Sequence, residues 1–480
     1  GAGMKKGNIL QSFKSKKFKY GGYATLITVI VIAAVIVVNL VSDRIPLRID
    51  LTQNQLYTLS EQTEDVLKNL KDDVTIYYVG EQSSVSPVVK EIVQRYTKNS
   101  KHIHTDYIDP VRDPLTAKKY TKEGESLASG SLVVEKGEVY RVIDQYDMIN
   151  YTQSQSGGMQ PESLAVEQRL TSAILFVGGS EMPVAYVLEG HSETPLDSNA
   201  KKQMELENFD VKELNLLGQE GVPDDADLLI VNSPQKDLSK EEAEALKEYM
   251  ENQGRALFMM DVLLDDLSNF QEVFRNYGIE LSNTLILEGE QGKYAGGNPL
   301  YLVPDFADHD IVNPIKTSKM PLLIPGGQAI RTLEDKRNTL TVQPLLTTSD
   351  KSFGRKADSK ESSAERQASD EAGPFDLAVA VEDQVYNLAA NETYTTRMVV
   401  IGNSGFLGAG FEGGSNLFMN SLNWIFERED SITIRPKSLT VQPLSITEMQ
   451  VRIYGALALV VIPAIVLIAG LVVWLRRRHL

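Results

Sequence analysis

The chain has 480 residues, 24% of them charged and none of them cysteine, with a formal net charge of −17. Ten of the 48 lysines and arginines lie outside residues 42–450 and none of the 65 acids does, so that middle stretch carries −27. Such an acidic, solvated region argues against nucleic acid or anionic lipid as its main partner, and the missing thiols rule out disulfides, thiol catalysis and cysteine metal sites.

Gly1-Ala2-Gly3 ahead of Met4 reads as a cloning remnant. Residues 1–19 are lysine-rich, and 20–41 form an uncharged run of spanning length. That run is long for a signal peptide, and no small-x-small site follows in Val41-Ser42-Asp43-Arg44, so a signal anchor with its lysines inside is the expectation. Residues 453–475 form a second uncharged run, roughly 34 Å long as a helix against a hydrocarbon core of about 30 Å. Globular helices rarely stay uncharged over six turns, which disfavours a buried core helix. Trp474 sits where an interfacial indole belongs, and Arg476, Arg477 and Arg478 in the 476–480 tail fit a cytoplasmic stop. The expected topology is therefore a cell-membrane protein anchored in the lipid bilayer, with both termini cytoplasmic and residues 42–450 extracytoplasmic.

Between the spans the pattern predicts α/β architecture. In 42–180, Ser60 caps a helix at 61–70, followed by strand 74–79, helix 87–98, strand 103–108, helix 114–123 and a hairpin 131–143 turned at Lys136-Gly137. A helix from Pro161 through Ala173 closes this unit, and Gly178-Gly179-Ser180 separates it from the next. The second unit, 181–430, reads as strand 183–188, helix 194–208, strands 211–216 and 227–232, helix 239–253 capped by Ser239, strand 255–260 and helix 266–277. Strands 376–382 and 398–402 and helix 415–427 complete a doubly wound sheet. Residues 349–374, nearly devoid of large apolar side chains, predict a mobile insertion, and 431–452 lead back to the second span.

Four segments in order carry a resemblance. These are Arg48-Ile-Asp50-Leu-Thr52 with Tyr57-Thr-Leu59-Ser60, Glu167-Gln-Arg-Leu-Thr171-Ser-Ala173-Ile, Tyr186-Val-Leu-Glu-Gly190-His191-Ser-Glu193, and Asn416-Leu-Phe-Met-Asn420-Ser-Leu-Asn-Trp424. Together they resemble the auxiliary membrane component of gliding-motility-type ABC transport systems, over nearly the whole chain. The resemblance implies a component without ATPase activity beside an ABC permease subunit and a separate ATPase subunit, with an ectodomain of the type likened to intraflagellar-transport domains. The family's pattern has an acidic residue in the loop after the late strand, where this chain has Gly402-Asn403-Ser404-Gly405-Phe406.

The turn at the carboxyl end of strand 183–188 sits where doubly wound sheets place ligands, which makes Gly190, His191, Glu193, Asp261 and Asn403 the candidate ligand-binding residues. A structural turn is the competing account. His191 and Glu193 are also the residues that could serve as acid and base in a membrane-anchored hydrolase. The second unit resembles class I amidotransferase-like domains as well, but those need a cysteine nucleophile. No Gly-x-Ser-x-Gly elbow and no phosphate-binding Gly-x-x-x-x-Gly-Lys-Ser/Thr loop occur, so no enzyme activity and no cofactor are expected. His102, His104 and Asp106 share one strand face and Asp308-His309-Asp310 forms a polar loop; both patterns are explained by solvated side chains, and no metal site is expected. Candidate partner-docking residues are Arg48, Asp50, Thr52, Gly455, Pro463 and Gly470, the glycines allowing close helix approach. The ligand expected of the ectodomain is a cell-envelope polymer, a peptide or the transported substrate, and a stand-alone glycan- or peptide-binding receptor is the alternative to the transporter subunit.

Overall fold

The computed structural model describes residues 26–37, 55–121, 126–153, 158–180, 182–219, 221–426 and 436–439, with 461, 463–465, 467–468, 470 and 474–475 beyond them. The chain divides into two compact units, Gly1–Gln55 and Leu56–Leu480. In the first, residues 26–37 are helical, and Leu26, Ile27, Val29 to Ile32 and Val35 to Val37 are all exposed. Among the described residues no helix is long and apolar enough to cross a membrane. Most of the expected spans 20–41 and 453–475, and the basic ends 1–19 and 476–480, lie outside them.

The larger unit opens with α1 (Glu61–Asn69), β1 (Val74–Val79), α2 (Pro87–Asn99), β2 (Ile103–Ile108), α3 (Pro114–Lys118), β3 (Leu132–Lys136) and β4 (Val139–Ile143). The sheet order is β2-β1-β3-β4, with β1 and β2 parallel and the other pairs antiparallel. One face, with Val74, Ile76, Leu132 and Val134, packs on Leu67, Ile92, Val93 and Tyr96 of α1 and α2 and on Leu170, Ala173 and Ile174 of α4 (Val166–Val177). The opposite face buries Val79 and Val133 against Ala117 and Tyr120.

The expected helix from Pro161 is corrected. β5 (Ile149–Gln153) and β6 (Met159–Leu164) form a hairpin, and α4 starts only at Val166. Proline lacks the N–H a regular ladder needs, and the register of this pair shifts between Asn150 and Tyr151, where Tyr151 meets Pro161.

The second half contains β7 (Val184–Glu189), α5 (Ser198–Leu206), β8 (Asp210–Asn215), β9 (Leu228–Asn232), α6 (Lys240–Glu251), β10 (Arg255–Met259), α7 (Ser268–Asn276) and β11 (Ile279–Leu287). Short strands β12 (Tyr301–Leu302), β13 (Asp305–Phe306) and β14 (Ile324–Pro325) surround α8 (Asn313–Thr317). β15 (Gln328–Thr332), β16 (Leu340–Thr347), β17 (Phe353–Lys356), β18 (Glu371–Ala372), β19 (Asp376–Asn387), β20 (Glu392–Ile401) and α9 (Glu412–Ile425) follow, and β21 (Lys437–Ser438) pairs back onto β6.

The main sheet runs β18-β17-β11-β15-β19-β20-β10-β9-β7-β8, with β16 also on β19. From β20 to β8 all strands are parallel. β9 is buried throughout and β10 nearly so, because helices cover both faces. Met204, Leu417, Phe418 and Leu422 of α5 and α9 join one core; Leu246, Met250, Phe270 and Phe274 of α6 and α7 join the other. Mixed α/β architecture is thus observed.

Residues 349–374, expected to be mobile, are instead built into the sheet edge through β17 and β18. Arg355 and Asp370 form a buried bidentate pair, Nε–Oδ1 3.1 Å and Nη2–Oδ2 2.6 Å, and Arg355 also donates to the carbonyls of Ser363 and Glu365. One guanidinium making four hydrogen bonds helps to order a segment with few large apolar side chains.

Candidate functional site

The carboxyl edge of the parallel strands holds all five expected ligand-binding residues. Gly190 ends β7 at φ +113°, and a Cβ there would meet Asn215 Oδ1 at 3.1 Å. His191 is buried, with Nδ1 3.0 Å from Glu193 Oε1 and Nε2 3.1 Å from Glu242 Oε2. Glu193 Oε2 accepts from the His191 amide at 2.7 Å, and Glu242 belongs to the capping box that starts α6 with Ser239. The Glu193 hydrogen bond raises the His191 pKa, burial opposes it, and Glu242 raises it again, for a net rise. An imidazolium with both N–H groups donating to carboxylates fastens the β7 loop to the α6 N-terminus.

Asp261, just past β10, accepts at Oδ1 from the Ser404 amide (2.7 Å) and at Oδ2 from Ser404 Oγ and Ser233 Oγ (2.6 Å each); Asn403 Nδ2 lies 3.4 Å from Oδ1. Gln235 joins the two clusters, its amide donating to the His191 carbonyl and its side chain to Ser233. The strand order reverses at β7, which has β8 on one side and β9 on the other. In the crevice between β7 and β9, where such folds seat ligands, the Thr194 amide donates to the Asn232 carbonyl at 3.0 Å. Beside Asp261 there is a cavity of about 20 Å³, room for about one water.

A larger cleft, about 590 Å³, opens between the two α/β halves. Sequence reasoning missed it. Its walls come from the β5 region (Tyr146, Asp147, Tyr151), the start of α4 (Gln168, Arg169), α5 (Asn199, Lys202, Gln203, Glu207) and α9. On α9, Glu412, Asn416, Met419, Asn420 and Asn423 recur at three- and four-residue spacing and form one stripe toward the cleft, while Leu417, Phe418 and Leu422 go to the core. Arg169 is 2% exposed; Nη2 donates to Gln203 Oε1 at 2.7 Å, and Nη1, 3.7 Å from Glu207 Oε1, makes no hydrogen bond. Gln168 donates to Glu207 at 2.6 Å, and its buried Oε1 has no donor. Lys202 pairs with Asp147. The signal available in the sequence was the segments of the resemblance themselves, since Gln168-Arg169 and Asn416, Asn420 and Asn423 belong to two of them and converge here.

A third polar cluster lies beneath the first half. Glu167, 4% exposed, accepts at Oε1 from the Ser60 amide (2.6 Å), Ser60 Oγ (2.7 Å) and Thr63 Oγ1 (2.8 Å), and Lys437 Nζ stands 2.9 Å from Oε2. Burial pushes its pKa upward, but the Ser60 and Lys437 interactions outweigh that and hold it below the usual range. Thr171 bonds both Thr63 (3.1 Å) and the Tyr96 hydroxyl (2.6 Å). Segments entering from residue 56 and returning at 437 are thereby joined through one carboxylate.

The remaining expected residues are placed as follows. Arg48, Asp50, Thr52 and Gly455 lie outside the described residues, and Pro463 and Gly470 are helical and exposed. His102 and His104 face Asp73 at 2.8 and 3.6 Å, with Asp106 exposed further along the strand. His309 is buried edge-on to Trp424, and its Nδ1 accepts from the Ile311 amide at 3.2 Å. Among the described residues no group of three or more potential ligands is placed to hold a metal ion.

No curated protein matches the chain. Similar solved structures include the mmIFT52 N-terminal domain, at 13% identity and a TM-score of 0.35, covering 52% of this chain and 100% of that one. Another is a putative GMP synthase protein from Thermoplasma acidophilum, at 9% identity and a TM-score of 0.28, covering 52% and 96%. Residues 53–178 match a domain of unknown function, DUF7088. Residues 182–423, half of the chain, match the family described as an ABC-type uncharacterized transport system, and the chain belongs to that family of auxiliary ABC transport components.

Proposed function

We propose that this protein is a non-ATPase membrane subunit of an ABC transporter, of the gliding-motility-like type. Helices in 20–41 and 453–475 dock on the permease, a separate ATPase supplies the power, and the region 42–450 stands outside the cell, where it binds the substrate, an envelope component or a partner. The match of residues 182–423 to the auxiliary family carries the accessory role. Supporting the membrane placement are the basic clusters flanking both apolar runs and the exposed aliphatic surface of helix 26–37, which water disfavours and lipid accepts.

Purifying the tagged full chain in a mild detergent, followed by mass spectrometry, tests this role. A permease and an ATPase co-purifying in fixed ratio is the expected result; recovery of the chain alone, under conditions that keep other membrane complexes whole, overturns it. Sidedness is readable because the chain has no cysteine. Ala390→Cys, on an exposed turn, is expected to react with a membrane-impermeant maleimide in intact cells, and Arg477→Cys only after lysis. The reverse pattern would sink the topology.

A further inference from the structure

We infer that the cleft between the two α/β halves is a binding site for a neutral saccharide, which deepens, and rests on, the reading of the extracytoplasmic region as a ligand-binding part of the transport system. The volume of about 590 Å³ lies inside the range of roughly 300–1,000 Å³ typical of small-ligand sites. Among the described residues both cations that line this cleft are answered locally. Lys202 pairs with Asp147, Arg169 stands against Glu207, and Asp197 caps α5 by accepting from the Asn199 and Ala200 amides. No surplus cation is left among them to select an anion.

What faces the space is amide and aromatic chemistry. Asn416, Asn420 and Asn423 line α9 in a row; Asn416 Nδ2 donates to the Glu412 carbonyl and Asn420 Nδ2 to the Ile311 carbonyl, each keeping a second N–H and an acceptor oxygen, and Asn423 stands beside them. A sugar hydroxyl is likewise donor and acceptor at once, so a row of vicinal hydroxyls matches a row of carboxamides without any net charge. Arg169 Nη1, 3.7 Å from Glu207, and Gln168 Oε1 lie buried in the wall without a hydrogen bond, and a small turn of either side chain toward the space would give a ligand hydroxyl a partner. At the rim Tyr146, Tyr151 and Phe411 are 72%, 46% and 38% exposed, offering flat apolar faces to the C–H face of a pyranose ring. A peptide of small side chains would use the amides but leaves the aromatic rim without a planar apolar partner.

The test is calorimetric titration of the full chain in lipid nanodiscs, which avoids glycoside detergents. The probes are chitotetraose, cellotetraose, maltotetraose and mannotetraose, with tetragalacturonate as the anionic comparison and hexa-alanine as the peptide. At least one neutral tetrasaccharide is expected to bind, and Asn423→Ala and Tyr151→Ala are each expected to weaken it about tenfold, as for loss of one good contact. The thermal midpoint should not move with either change, and Tyr386→Ala, on the exposed β19 strand end, should bind as the parent does. Binding of hexa-alanine or tetragalacturonate alone, no binding of any neutral probe, or neutral binding that ignores both cleft substitutions overturns the inference. If saccharide binding fails while permease and ATPase still co-purify, only this inference falls; if the partners are absent and a saccharide binds, the transporter role falls instead.

Discussion

At the carboxyl edge His191 spends both ring nitrogens on Glu193 and Glu242, and Asp261 is bonded by Ser233 and both the amide and hydroxyl of Ser404. In the cleft Arg169 keeps Nη1 and Gln168 keeps Oε1 without a bond, and the α9 asparagines line open space. Both places gather polar side chains and each leaves two buried atoms without a hydrogen bond, Asn232 Oδ1 and Asn403 Oδ1 at the edge and Arg169 Nη1 and Gln168 Oε1 in the cleft; they differ in the space beside them, about 20 Å³ against about 590 Å³. At the edge, loops leaving neighbouring parallel strands start within about 5 Å of one another, so their side chains find each other. Walls of the cleft stand on separate helices of two half-structures, which bond to each other at Arg169–Gln203, Gln168–Glu207 and Lys202–Asp147 and part beyond those contacts to leave open space. Polar clustering, even with an unanswered atom, therefore marks a stitched seam as readily as a site, and the open volume is the better discriminator.

Removing a member of the seam is the severest way to break the comparison. His191→Ala leaves Glu193 and Glu242 buried without their shared cation and is expected to cost about 3–5 kcal/mol, read as a lowered denaturation midpoint of the full chain. A loss under about 1 kcal/mol, the level of an exposed pair, would mean the histidine is not a structural fastener.

Glu167→Gln is expected to cost about 2–3 kcal/mol, because the three donors from Ser60 and Thr63 lose a charged acceptor and Lys437 loses its counter-ion. Limited proteolysis is expected to open the segments around residues 60 and 437 together, since one carboxylate holds both. Cleavage near only one of them would show that the two are held independently.

The pH dependence is smaller. His191 has its pKa raised above 6.5, so its stabilisation is whole below that value and is lost as pH rises through the folded-state value. For Glu242, burial raises the pKa, but the Ser239 amide and His191 prevail and lower it below 4.5; Glu167 is also lowered, so both contributions hold above 4.5 and are lost as pH falls through the folded-state values. Denaturation midpoints measured across pH are expected to fall on both limbs, and His191→Ala is expected to flatten the alkaline one. An unchanged alkaline limb in that variant would refute the assignment. Last, Asn423→Ala and Tyr151→Ala are expected to shift stability by no more than about 0.5 kcal/mol, which separates a ligand surface from a seam.

Much of the strand and helix order in both halves was legible because its signals are local. The apolar run of β9, the capping box Ser239 with Glu242, and the Gly137 hairpin each declare their element within a few residues. Between 279 and 347 the residue pattern predicts no elements, and β11 shows why. Asn283 sits at φ +50° and the register against β15 shifts between Leu281 and Leu285, so the period-two alternation breaks midway. The ordered segment around Arg355 was illegible for another reason: it is held by strand pairing of β17 with β11 and β18 and by a buried ion pair across fifteen residues of sequence, which composition does not reveal.

By itself the sequence determined the alternation of strands and helices, the acidic middle with basic ends, and the absence of thiol and phosphate-loop chemistry, because these follow from residue type and short-range period. It also placed Gly190, His191, Glu193, Asp261 and Asn403 at strand ends. Only the tertiary structure decided that these residues form two clusters bridged by Gln235 and that Gln168, Arg169, Asn416, Asn420 and Asn423 line a cleft. The physical reason is distance along the chain: hydrogen-bond partners far apart in sequence are chosen by how helices and strands pack, and no local period records that choice.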